Sequence, residues 1–276
     1  MWPWATAGAL SGLLATLVLH WPAHWIAPAL ERASGDRIRL SDVRGTPWDG
    51  SAVLSLAAGA GSRDMRTLPG RTRWHLRPGI VATTSDAGAK LPGMKLQLDQ
   101  TCCLREPLAV QLGIGSSGLG VRFGALDWQG PIALVQGLGA PWNTLGFEGR
   151  LRTSTPGLAL HRTGGRLRMD GRLSLAAESV SSRIAPIDSL GSYHFDIDGQ
   201  RAGRGAAQDI ANDAPMRFSL ATLEGPLRLT GQGVWMAGQL RFSADARADP
   251  GHEAALAHVL RLIGNRNGPI TLRVLR

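Results

Sequence analysis

From Ile38 onward, apolar and polar side chains take turns along the chain. Ile38 and Leu40, then Met94, Leu96 and Leu98, then Leu167, Met169, Gly171, Leu173 and Leu175 fall at every second position. Lys95 and Gln97, or Arg168, Asp170 and Arg172, stand between them. Phe218 and Leu220, Leu227 and Leu229, and Leu240 and Phe242 repeat the spacing. A period of two puts the two sets on opposite faces of a pleated strand, so the pattern predicts half-buried strands of an antiparallel sheet. Steps such as Leu91-Pro92-Gly93, Gly130-Pro131 and Gly225-Pro226 are read as breaks between strands. The expectation is a mainly β chain: a twisted antiparallel sheet, an open half-barrel or groove.

The two ends depart from that pattern. No charged side chain precedes Glu31, and Ala5 to Leu19 is rich in Ala, Leu and Val. A helix from Trp4 to Trp21 would be roughly 26 Å long, close to a bilayer's hydrocarbon core. Trp2 and Trp4 on one side, and Trp21 and Trp25 on the other, suit the two interfacial belts. Residues 1–30 are therefore expected to be an uncleaved transmembrane anchor, and residues 31–276 one β domain. A cleaved signal peptide fits less well, because no basic residue precedes the apolar run. Near the other end, Asp249 and Pro250 suit a helix start. Leu256, Val259, Leu260 and Ile263 then fall on one helical face, and Gly264 is expected to stop it. Ile270 to Val274 reads as a closing strand.

A short motif appears near three strands. Trp48-Asp49-Gly50 follows Gly45-Thr46-Pro47 and leads into Val53-Leu54; Trp128-Gln129-Gly130 leads into Ile132-Ala133-Leu134. Trp235-Met236-Ala237-Gly238 leads into Leu240. The expectation is one local solution used three times, a bend in which Gly supplies backbone freedom and Trp covers it. Asp49 corresponds to Gln129 and Met236 in the other copies and has no acidic or His neighbour in its own, so it lacks the partner a catalytic carboxylate needs.

Charge and cysteines change this picture little. The net charge is +9, but the arginines are scattered one or two at a time and form no stripe, which argues against nucleic acid as partner. Cys102 and Cys103 are adjacent, a spacing that rarely bridges, and are expected to be two small residues at a strand end. His194, Asp196 and Asp198 share one face of "YHFDIDG" and could hold a cation, but an exposed strand edge is the simpler reading. "GIGSSGLG" around Ser116 lacks the Lys-Ser/Thr ending and following helix of a phosphate loop. No nucleophile, base and acid set emerges, so neither enzyme chemistry nor a cofactor, metal or small-molecule substrate is expected.

The N-terminal anchor, "VRGTPWDGSA", "LGFEGRLRTSTPGLAL", "GRLRMDGRLSLAAESVSSRIAPIDSLGSYHFDIDG" and the closing "LRLIGNRNGPITLRVLR" together resemble the type II secretion system protein N (GspN) family. The strongest segments are Gly45 to Ala52 and the helix ending at Leu262-Ile263-Gly264. The resemblance implies a single-pass protein of the inner membrane of a Gram-negative bacterium, with its β domain in the periplasm. It also implies an accessory scaffold role in exporting folded proteins across the outer membrane. The expected partners are the inner-membrane platform proteins, with the secretin as a second candidate. The arginines after the anchor would by the positive-inside rule lie in the cytoplasm, but long domains cross largely regardless of charge. A periplasmic lipid- or lipopolysaccharide-handling groove of the AsmA-like kind stays open beside this, as does, more distantly, an envelope enzyme. An unfilled apolar trough would favour the lipid groove, a packed core the scaffold.

Overall fold

The alternation is realised as a 16-stranded antiparallel sheet. A computed structural model describes every residue except 1, 20, 83–89, 116–117, 140–141, 164–165, 200–214, 237–238, 264–269 and 274–276. The strands are β1 (Ile38–Gly45), β2 (Asp49–Ala57), β3 (Met65–Thr67), β4 (Thr72–Ala82), β5 (Lys90–Gln100), β6 (Leu108–Gly115), β7 (Gly118–Phe123) and β8 (Leu126–Pro131). They continue as β9 (Phe147–Thr155), β10 (Leu158–Thr163), β11 (Arg166–Ser182), β12 (Gly191–Asp198), β13 (Met216–Glu224), β14 (Leu227–Met236), β15 (Gln239–Ala248) and β16 (Ile270–Arg273).

Almost every strand pairs with its sequence neighbour, so the sheet is a long meander from β1 to β16. It is open: among the described residues these two end strands do not pair with each other. The 17-residue β11 joins its halves. Arg166 to Gly171 pair with β10, and Ser174 to Ser182 pair with β9 along the same edge, while β12 takes the other edge. Leu91-Pro92-Gly93, expected as a break, lies inside β5. The β5–β6 ladder ends at Gly93 opposite Gly113, so the missing N–H of Pro92 costs no bond on that side.

The N-terminal region is three short pieces. Helix α1 (Trp2–Leu19) is followed by a 3-10 turn, Ala23–Trp25, and by α2 (Ile26–Ala33). The expected transmembrane anchor is not confirmed: α1 has 18 residues, and among the described residues no helix is long and apolar enough to cross a membrane. Ala23 is instead buried against Ala52 and Trp74, with Leu40, Val43, Leu96 and Leu98 around them.

Between β8 and β9 the chain makes a 3-10 helix, Ile132–Leu138, and a short α3 (Trp142–Leu145). An outgoing strand was expected from Ile132. The helix forms because it buries Ile132 and Leu134, and Gln136 bonds Arg66 and the Phe147 carbonyl. The C-terminal helix is present as α4 (Glu253–Ile263), with Leu256 and Val259 fully buried. Asp249 does not cap it, because its carboxylate is bonded to Arg228. Gly264 lies outside the described residues.

Two cores result, both at the same end of the strands. One surrounds Ala23 and Trp74. The other gathers Ile132, Val180, Leu190, Tyr193 and Leu227 beneath Leu256 and Val259 of α4. Tyr193, the only tyrosine, ties two turns together: its hydroxyl lies 3.0 Å from the Leu190 carbonyl oxygen and 3.2 Å from that of Leu227. Burial pushes its phenol well above the usual tyrosine range. A group whose pKa is raised on folding contributes stability below its unfolded value of about 10, and that contribution is lost as pH climbs towards the folded one. Phenolate absorbance should therefore appear only as the protein unfolds in alkali. In Tyr193→Phe the unfolding free energy should drop by about 1–2 kcal/mol at neutral pH and depend less steeply on pH above about 10. A phenolate titrating in the still-folded protein at ordinary pH would contradict this.

Candidate functional site

The register sorts side chains into two unlike faces. On one, Leu76 lies opposite Leu96, Leu96 opposite Val110, Val110 opposite Phe123, and Phe123 opposite Leu158. The next row runs Pro78, Met94, Leu112, Val121, Leu160, Met169. On the other face the corresponding row is Arg77, Lys95, Gln111, Arg122, Ala159, Asp170. The apolar face continues across β11 through Leu173 and Leu175 to Phe195 and Ile197, and on to Phe218 and Leu220.

Neither core includes Met94, Leu112, Val121 or Leu160. The main packing partners of β5, β6, β7 and β10 are their neighbours in the sheet. Yet these side chains are only partly exposed. The sheet bends towards the apolar face, and the aromatic residues show how. Phe195 on β12 and Phe242 on β15 have ring centroids 6.2 Å apart although two strands lie between them. Gly233 on β14 leaves the space: a Cβ there would stand 2.6 Å from the Phe242 ring. Sheets of this width curl rather than stay flat, and a glycine covered by a ring marks the bend.

The Trp-Gly motifs serve this architecture at its edges. Thr46 and Asp49 close the β1–β2 turn through a 2.8 Å backbone bond, with Gly45 opposite Gly50. Gly45 has φ of 88°, a conformation glycine adopts without penalty. The ring over Gly50 is not Trp48 but Trp74 of β4, whose edge would lie 2.5 Å from a Cβ at Gly50. Trp74 Nε1 also donates to the Thr46 carbonyl at 3.2 Å. Trp48 is half-buried, and its carbonyl accepts from Leu76 N. Trp128 does cover Gly130, at 2.6 Å from a Cβ there, but within β8 and not at a bend. Trp235 is half-buried near the end of β14, and Gly238 lies outside the described residues. The three motifs are not brought together. Spacing along one strand could not reveal Trp74, because the gap it fills belongs to the neighbouring strand.

Cys102 and Cys103 form a disulfide, contrary to the expectation for adjacent cysteines. They sit in the turn after β5, with Cα atoms 3.7 Å apart, the ordinary spacing of consecutive residues across a trans peptide. Cys103 is buried, and its carbonyl accepts from Gln129 beside Trp128.

Several titratable groups on the polar face are paired. Asp196 Oδ1 accepts from Ser174 at 2.5 Å and lies 3.0 Å from His194 Nε2, while Asp198 takes Arg172. β12 is an interior strand, not the exposed edge expected; the Ser174 and Arg172 contacts cross its ladder with β11, while His194 and Asp196 both lie on β12. His161 Nε2 stands 3.5 Å from Asp170 Oδ2. Burial pushes the histidine pKa down and the carboxyl pKa up, and it outweighs their mutual attraction. Among the described residues, no group of three His, Cys, Asp or Glu is placed to hold a metal ion.

No curated protein and no solved structure matches this chain. A family model described as type II secretion system (T2SS), protein N, matches residues 36–273, which takes in the whole sheet from β1 to β16. The chain therefore belongs to the type II secretion system protein N family.

Proposed function

We propose that the chain is a non-catalytic accessory component of the type II secretion system, seated at the inner membrane with its sheet in the periplasm. There it serves the export of folded proteins across the outer membrane. The observation that carries this reading is the family match over residues 36–273. The Cys102–Cys103 bond supports an oxidising compartment, since disulfides are rare in the cytosol. Helix α1 has no charged residue and exposes Trp4, Leu10 and Leu13, side chains that favour a bilayer over water.

The partners in this reading are the inner-membrane platform proteins and the secretin. The open sheet offers them β1 and β16, end strands whose outer backbone groups suit strand addition. Mild crosslinking in intact bacteria, pull-down of the tagged full chain and mass spectrometry should recover platform proteins or the secretin. Crosslinks to abundant envelope proteins alone, in cells expressing the whole secretion system, would remove the scaffold reading.

A further inference from the structure

We propose that the part of the apolar face over which no described residue packs binds the acyl chains of an anionic phospholipid, entered from the end of the strands opposite the two cores. This stands apart from the secretion reading and does not depend on it.

The lining selects the ligand chemistry. Met94, Leu112, Val121 and Leu160, all partly exposed, form a row with no hydrogen-bonding side chain that ends on buried Met169. An extended peptide laid over that row would leave its backbone amides without partners, at a cost of several kcal/mol each in the absence of water. An acyl chain has nothing to satisfy.

The two ends of the face differ. At one, Ala23 packs on Trp74, and α4 packs over Tyr193 and Leu227. At the other, Ile80 is 63% and Leu167 47% exposed. From Leu76 to Ile80 is four residues of strand, roughly 14 Å, close to the roughly 15 Å depth of one leaflet's hydrocarbon.

Charge at that open end chooses among apolar ligands. Arg162 is exposed and lies opposite Leu167 in the apolar register. Arg217 and Arg241 flank the same end on the polar face. An arginine beside an apolar mouth suits a phosphate headgroup, whose oxygens match its forked donors. A second copy of the chain would bring another +9 charge and another Arg162 to the same place.

The test places a photoreactive benzophenone side chain at Leu112 on the apolar face, or at Arg122 on the polar face, in the full-length chain. Each variant is irradiated with vesicles of phosphatidylglycerol and phosphatidylethanolamine, and the adducts are weighed intact. The proposal expects phospholipid adducts at Leu112 and few at Arg122. Arg162→Glu, with an unchanged melting temperature, should cut the phosphatidylglycerol adduct about fivefold. Equal labelling at both sites, no lipid on Leu112, or an unaltered yield in R162E would overturn it. Irradiation in cells separates the sources: phospholipid on Leu112 supports the proposal, whereas lipopolysaccharide or a protein there refutes it.

Discussion

Trp74→Ala should lower the unfolding free energy by about 3–5 kcal/mol, the range for emptying a buried tryptophan site. The ring is 8% exposed and touches Ala23 and Ala52. It also closes over Gly50 and bonds the Thr46 carbonyl, so its loss opens a cavity and frees a half-buried acceptor. Three segments distant in sequence meet there: the 3-10 turn after α1, the β1–β2 corner and β4. The measurement is the urea midpoint of Trp74→Ala beside that of Trp48→Ala. Trp48 is half-buried, so its truncation should cost clearly less. If Trp48→Ala proves the more damaging, the assignment of Trp74 as the keystone of this corner is wrong.

Leu256→Ala should cost about 3 kcal/mol and loosen α4 from the sheet. Leu256 and Val259 are fully buried, and the cluster they complete joins Leu190, Tyr193 and Leu227 from two turns of the sheet. An isolated helix of 11 residues is marginal in water, so α4 depends on that contact for its own formation. His258 is exposed on the other side, and His258→Ala should change stability by less than about 0.5 kcal/mol. Thermal melts of the two variants decide the matter, with helical circular dichroism as a second readout. An equal small effect from both would mean that α4 lies on the sheet without holding it.

These two sites bear on function through the space between them. Both cores lie at one end of the strands, and among the described residues nothing packs over the middle of the apolar face. Strand ladders stabilise that middle, with each apolar row supported by cross-strand contacts rather than by a second layer. Filling the face with lipid should raise the melting temperature of the intact chain, because a ligand that binds only the folded state stabilises it by mass action.

Much of this fold was legible in the residues. The alternation at Met94-Leu96-Leu98 and from Leu167 to Leu175 required strands with one apolar face. Leu256, Val259 and Leu260 required an amphipathic helix, and the segments from Gly45 to Ala52 and near Gly264 carried the family resemblance. Other features were not legible. Ile132 to Leu138 looks like a strand because a short apolar run satisfies either period, and its 3-10 conformation follows from burial of Ile132 and Leu134 and the bonds of Gln136. The bond between Cys102 and Cys103 depends on the local conformation of one turn after β5, which composition does not encode.

The sequence by itself determined which side of each strand is apolar, because successive side chains point to opposite faces whatever the strand pairs with. Only the tertiary structure decided that those sides join into one face, covered at one end and, among the described residues, uncovered at the other. Register and curl depend on contacts between strands far apart in the chain, such as Phe195 with Phe242 and Trp74 with Gly50. No local period carries that information, since each strand's pattern is satisfied by any antiparallel neighbour that keeps its apolar side on the same face.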